Sequence, residues 1–193
     1  RADNALMDEA PYTAFDVFDN ELTTMEDQFF GPFYTAAYKS ILSANNVIEN
    51  STDAVEIGEA KFLRALSYFK LVQVFGDVTV NLSASPSIED TASLVRQPAT
   101  DVYNNVIIPD LNDAIAVLGT EIVDGRASKL AAQSLLGKAY AAQGDYASAA
   151  PILAEVVNAT NISLKENFNE IFGAENEVGN SEIIYATQIS SSI

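Results

Sequence analysis

Only a narrow range of chemistry is open to these residues. The chain contains neither His nor Cys, while Asp and Glu together number 27. Without imidazole there is no neutral-pH general base and no usual metal ligand, and no Ser-His-Asp or Cys-His arrangement can form. Without a thiol there is neither a disulfide framework nor a thiolate site. What remains within the chain is carboxylate or lysine chemistry, and recognition by shape and hydrogen bonding. The stretch Asp27-Gln28-Phe29-Phe30-Gly31-Pro32-Phe33 sets aromatic rings beside Asp and Gln. Sugars are held in this way, with ring faces against apolar sugar faces and polar groups on the hydroxyls. Asp27, Gln28, Phe29, Phe30 and Phe33 are therefore the candidate ligand-binding residues, although each Phe taken singly also reads as a core anchor. Glu26-Asp27 is a carboxylate pair, but adjacent residues do not flank a scissile glycosidic bond. Glu175, Asn176, Glu177 and Asn180 offer oxygens for calcium, yet their spacing matches no EF-hand loop, and a solvated loop is the simpler reading. No catalytic residue, metal ligand or cofactor is assigned.

Charge narrows the partners. The formal net charge is −17, with Lys and Arg numbering only 10. Such a field repels phosphate backbones and anionic lipid, and it suits a saline or extracellular setting. No apolar run approaches the ~20 residues of a membrane span, so any attachment must lie outside this segment. The chain begins at Arg1 and ends just after the strand-like Ile183-Ile184-Tyr185. Residues 1–193 are accordingly expected to be one domain's share of a longer protein. Within it, 1–32 is loop-rich, 33–172 is helical, and 173–193 is loop and strand leading to a further C-terminal half.

The elements that would carry these residues are mainly helices. Tyr34, Ala37, Tyr38, Ile41, Asn45 and Ile48 recur at helical spacing and predict a helix over about 32–50. Pro32 suits its first turn. Asp53 with Glu56 fits a capping box opening a second helix to about Phe75. That helix is apolar on more than one side, with Phe62, Leu66 and Phe69 on one face and Leu63 and Val74 on another. This predicts neighbours on both sides. Gly76-Asp77 ends it, Val78-Thr79-Val80 suits a short strand, and 81–97 reads as an exposed loop. Asp90-Thr91-Ala92 in that loop resembles a short bacterial O-glycosylation acceptor, a weak match. A third helix follows from about Thr100, with a kink or break expected near Ile108 because Pro109 cannot donate a hydrogen bond. Ser128 and Asp145 can cap a fourth and a fifth helix, Ser163 to Phe172 suits a short helix, and Ile183-Ile184-Tyr185 a strand.

Helix pairs joined by tight turns suggest a solenoid. Leu136, Gly137, Tyr140, Ala149 and Leu153 match tetratricopeptide spacing, in which Gly lets two helices approach, Tyr fills the gap and Ala packs opposite. Gln133 stands where that repeat often has Trp. Ala60, Leu63, Tyr68 and Gly76-Asp77 echo Ala132, Leu135, Tyr140 and Gly144-Asp145, roughly two repeats of ~34 residues later.

The resemblance goes further. Tyr38-Lys-Ser-Ile41-Leu-Ser-Ala44-Asn45-Asn46-Val47-Ile48, then Gly58-Glu-Ala-Lys-Phe62-Leu-Arg64-Ala-Leu-Ser-Tyr68-Phe69 running into Phe75-Gly76-Asp77-Val78, resemble successive blocks of the SusD/RagB family. Arg96, Val102-Tyr103, Ile107, Asp110-Leu111 and Ala114 resemble the next block. Gly125-Arg126-Ala127-Ser128-Lys129 resembles the one after, and Leu164, Phe168, Ile171-Phe172 and Glu182-Ile183-Ile184-Tyr185 the last. Tyr34 replaces a frequent Trp of the family, and Thr79 a usual Pro. The resemblance implies a mainly all-α, tetratricopeptide-like superhelix with short strands and long loops. It implies an outer-membrane lipoprotein, lipid-anchored on the extracellular face of a Bacteroidota-type bacterium. Such a protein captures an oligosaccharide, or in some relatives a peptide, and passes it to a SusC-type TonB-dependent transporter, without performing chemistry. A generic tetratricopeptide scaffold for a protein partner and, more remotely, a glycan-processing enzyme are the alternatives. Arg64 and Arg126 read as structural ion-pair partners.

Overall fold

Side-chain oxygens of Asp53, Ser128 and Asp145 cap three of the helix starts, and two Gly-Asp pairs set turns between elements. The computed structural model describes residues 9, 12–13, 26–87, 89, 94–173, 176 and 178–188. The first long helix, α1 (Gly31–Asn50), is followed by α2 (Ala54–Phe75). Asp53 Oδ1 caps α2 by accepting from the Val55 and Glu56 amides at 2.7 and 3.2 Å. The reciprocal half of the expected capping box is relayed. Ser51 Oγ accepts from the Asp53 amide and donates to Glu56 Oε2, so Glu56 reaches the cap through Ser51.

Gly76 and Gly144 both take positive φ, 68° and 78°, which only Gly adopts without strain. The Asp after each caps a later helix. Asp77 Oδ1 accepts from the Ala99 amide at 3.0 Å, and Asp145 Oδ1 from the Ser148 amide at 3.1 Å. Between them run β1 (Val78–Thr79), α3 (Ala99–Val102), α4 (Ile108–Val117) and α5 (Lys129–Ala142); α6 (Tyr146–Val157) follows the second pair. β1 pairs antiparallel with β2 (Arg96–Gln97), so the end of the expected 81–97 loop is a strand. Asp90, Thr91 and Ala92 lie outside the described residues. The expected break before Pro109 is a π-helical turn, Tyr103–Ile107, that lets the chain continue into α4 with Pro109 in its first turn.

The helices stack in order. α1 packs on α2, α2 on α4, α4 on α5 and α5 on α6. Gly137 of α5 lies against Leu153 of α6, where a Cβ would overlap the leucine. Ala149 is buried opposite, and Gln133, in the repeat's Trp position, donates to Glu155 across the same pair. The tetratricopeptide contacts are thus in place. The echo fails at one position. Leu135 is buried, but Leu63 is 38% exposed and lines a groove beside α1. Phe62 and Phe69 are buried while Val74 is also exposed, so the second apolar face of α2 is only partly covered.

Two further expectations are corrected. The stretch 163–172 holds only a 3-10 turn, Phe168–Ile171. Its start is drawn into extended backbone, with the Ser163 amide donating to Ser181 O and the Lys165 amide to Glu182 Oε2. So short a segment does not nucleate a helix against such competition. Ile183-Ile184-Tyr185 is not a strand, for it has no strand partner among the described residues. It lies over α2 and α5, with Tyr185 edge-on to Phe62 at 5.0 Å.

A buried polar network fastens the stack. Arg64 (α2) donates from Nε and Nη2 to the two carboxylate oxygens of Asp110 (α4), both at 2.7 Å, and from Nη1 to Asn45 Oδ1 (α1) at 2.9 Å. Asn45 Nδ2 donates onward to the Asn81 and Ser83 carbonyls. Burial pushes the Asp110 carboxyl up from its ordinary value, and Arg64 pulls against that shift. Arg126 pairs with Glu59 on the surface, so both arginines are structural ion-pair partners as expected.

Tyr68 belongs to the same region. Its hydroxyl donates to Asn81 O at 2.9 Å and accepts from the Asn81 amide at 2.8 Å. Burial pushes this phenol up to about 12 from 10.0, with the Asn81 hydrogen bond acting in the opposite sense. A raised folded-state pKa means the native state holds the proton more tightly than the unfolded chain. The resulting stability is fully present below about pH 10 and is lost as pH rises towards about 12. Urea midpoints measured in alkaline buffers should fall across that window, and fall less steeply in Tyr68→Phe.

Candidate functional site

The candidate aromatic cluster sits at the mouth of the first hairpin. Residues Glu26–Phe30 form a π-helical turn that runs directly into α1, so the cluster is on a helical turn and not in the expected loop. Gly31 makes the junction feasible, because a Cβ there would stand 2.7 Å from the Glu26 carbonyl oxygen. The hairpin folds at 51–53, which brings the start of α1 to the end of α2. Phe75, the last residue of α2, becomes the hub. Its ring is edge-on to Tyr34 at 5.3 Å and to Phe30 at 6.3 Å, and tilted to Phe33 at 6.1 Å. Tyr34 also stacks on Tyr38 at 4.6 Å. Tyr38 in turn donates to Thr79 O at 2.6 Å and shares a hydrogen bond with Thr79 Oγ1, fixing β1 against α1.

A cleft of about 400 Å³ opens beside this hub, lined by Glu26, Phe30, Gly31, Tyr34, Thr35, Phe75, Asp77, Val78 and Arg96. The aromatic residues Phe30, Tyr34 and Phe75 and the acidic residues Glu26 and Asp77 share this lining. Arg96 lies along the end of α2, its Nε donating to Asp77 O at 2.8 Å and Nη2 to Phe75 O at 3.2 Å. Of the candidate residues, only Phe30 lines the cleft. Phe33 backs it through Phe75 and faces a second groove with Leu63, Leu66 and Tyr185. Phe29 packs on Tyr12 at 5.6 Å, while Asp27 and Gln28 are exposed on the turn. Tyr34, Phe75, Glu26, Asp77 and Arg96 were not in the candidate set. The signal for them is the antiparallel register of the hairpin, which sets the aromatic start of α1 against the Phe75-Gly76-Asp77 end of α2.

No group of His, Cys, Asp or Glu among the described residues is placed to hold a metal ion. Of the oxygen set considered for calcium, Asn180 Oδ1 accepts from the Glu182 amide at 3.0 Å, and Glu175 and Glu177 lie outside the described residues. No described helix is long and apolar enough to cross a membrane.

A family model described as SusD-like, starch-binding and associating with outer membrane, matches residues 3–141. The chain belongs to the SusD-like family. SusD-like protein P2 of Formosa agariphila is 31% identical over 191 residues, an alignment covering 90% of this chain and 37% of that protein. A SusD-like carbohydrate-binding protein from Bacteroides fragilis matches with a TM-score of 0.75 at 26% identity, over 83% of this chain and 33% of that one. A laminarin-binding SusD-like protein matches with a TM-score of 0.71 at 30% identity, over 77% and 35%. The chain thus spans about a third of the length of the relatives it matches. The mainly helical, tetratricopeptide-like SusD fold is the one these relatives share.

Proposed function

We propose that this SusD-like chain is the helical platform of a surface glycan-binding lipoprotein. The whole protein captures an oligosaccharide at the extracellular face of the outer membrane. It hands that cargo to a SusC-type TonB-dependent transporter without transforming it. The observation that carries the reading is the cleft, where Phe30, Tyr34 and Phe75 offer ring faces beside the carboxylates of Glu26 and Asp77. Such a site suits a sugar ring better than a peptide backbone, which would require unpaired main-chain donors and acceptors on a strand edge or in a groove. The similarity to carbohydrate-binding and laminarin-binding relatives supports it. The scaffold alternative is disfavoured because the chain matches a SusD-like family model and SusD-like relatives over most of its length, beyond the repeat signature alone. The absence of His and Cys weighs against hydrolysis within this segment.

Calorimetric titration of the full-length protein with a panel of oligosaccharides, followed by chromatography of the recovered sugar, tests the reading. Saturable binding with the sugar recovered intact is expected. Hydrolysed products, or no binding to any sugar, would contradict it.

A further inference from the structure

The cleft beside Phe75 is not charge-neutral. Glu26 reaches it from the π-helical turn and Asp77 from just beyond α2, whereas Arg96 is the one cation among its lining residues. That guanidinium is engaged with the Phe75 and Asp77 carbonyls. There it meets the negative end of the α2 dipole, where a cation is stabilising and less available to a ligand. One carboxylate oxygen of Asp77 accepts from the Ala99 amide at 3.0 Å. The rest of the chain reinforces the sign, with a formal net charge of −17.

Resting on the glycan-binding reading above, we propose that this cleft selects neutral sugar residues and rejects uronic-acid and sulfated ones. Carboxylates accept hydrogen bonds from paired sugar hydroxyls, and such charge-assisted bonds are the strong ones. An anionic substituent in the same place would shed water in front of two like charges, and the one cation among the lining residues, Arg96, already has Nε and Nη2 directed to backbone carbonyls. A like charge within about 6 Å weakens binding by about threefold in bulk water and about a hundredfold at the effective dielectric of a protein surface. Added salt screens the long-range part of this repulsion and leaves the contact part, so discrimination persists in saline surroundings.

The test titrates the full-length protein with size-matched oligosaccharides. The neutral set is laminari-, cello-, malto- and xylogluco-oligosaccharides; the anionic set is oligogalacturonate, oligoalginate and sulfated carrageenan fragments. Binding confined to the neutral set is expected. The double variant Glu26→Gln with Asp77→Asn, which keeps a carbonyl oxygen for the Ala99 amide, should narrow the preference by about tenfold or more. Wild-type affinity for an anionic oligosaccharide equal to or above that for its neutral counterparts would overturn the selectivity while leaving glycan binding intact. So would a preference unchanged in the double variant. Failure to bind any sugar would instead remove the glycan reading itself, and the selectivity with it.

Discussion

Asp110→Ala is expected to destabilise the fold by about 3–5 kcal/mol, because it strands the buried guanidinium of Arg64. Asp110 and Arg64 are almost fully inaccessible, and their paired bonds at 2.7 Å join α4 to α2. Arg64 also holds Asn45, which in turn holds the carbonyls of Asn81 and Ser83. Removing one carboxylate therefore loosens α1, α2, α4 and the segment after β1 together. The cost lies in the unpaired charge rather than in the net worth of the pair. Arg64→Met combined with Asp110→Leu should accordingly recover most of the loss, falling short by the unsatisfied Asn45 oxygen at about 1–3 kcal/mol. Urea denaturation of the two variants beside wild type measures both effects. A single variant within about 1 kcal/mol of wild type would mean that the network is not a fastening.

Tyr34→Ala should weaken oligosaccharide binding by about tenfold or more while leaving the fold nearly unchanged. Tyr34 is 37% exposed, and like Phe30 it both contacts Phe75 and borders the open cleft. Its loss removes one of the three rings that line the cleft. Phe172→Ala serves as the comparison. That ring is also exposed, stacks only on Phe168 among the aromatic pairs of the described residues, and lies outside the cleft. Its removal should leave the affinity unaltered. Titration of the full-length variants, with helical circular dichroism as the check on folding, separates a lost contact from a lost structure. Equal affinity in Tyr34→Ala would remove the cleft from the binding account.

Much of this architecture is local, and so was legible. Periodic apolar residues, Asp53, Ser128 and Asp145 as caps, and Gly76 and Gly144 as turns are read within one helical turn of their partners. Gly137 is legible through its repeat spacing, and its contact with Leu153 is the one that spacing requires. Features that depend on distant partners were not. Nothing near Arg64 in sequence announces Asp110, and the two meet only when α2 and α4 stack. Ile183-Ile184-Tyr185 has the composition of a strand, but its partner is a helix face, so side-chain packing replaced ladder hydrogen bonds. The π-helical turn at Glu26–Phe30 was hidden because the loop-rich stretch before Pro32 shows no helical period, whereas here Gly31 is what lets a wide turn join α1. The cluster around Phe30 and Phe33 was visible as a set of rings. Its completion by Phe75 and Tyr34 required the hairpin register.

A structure of the full-length protein with a bound neutral oligosaccharide tests the account most directly. The account predicts a sugar ring lying against Tyr34, Phe30 and Phe75, with hydroxyls donating to Glu26 or Asp77. Sugar bound wholly elsewhere, with this cleft empty at saturation, would contradict it.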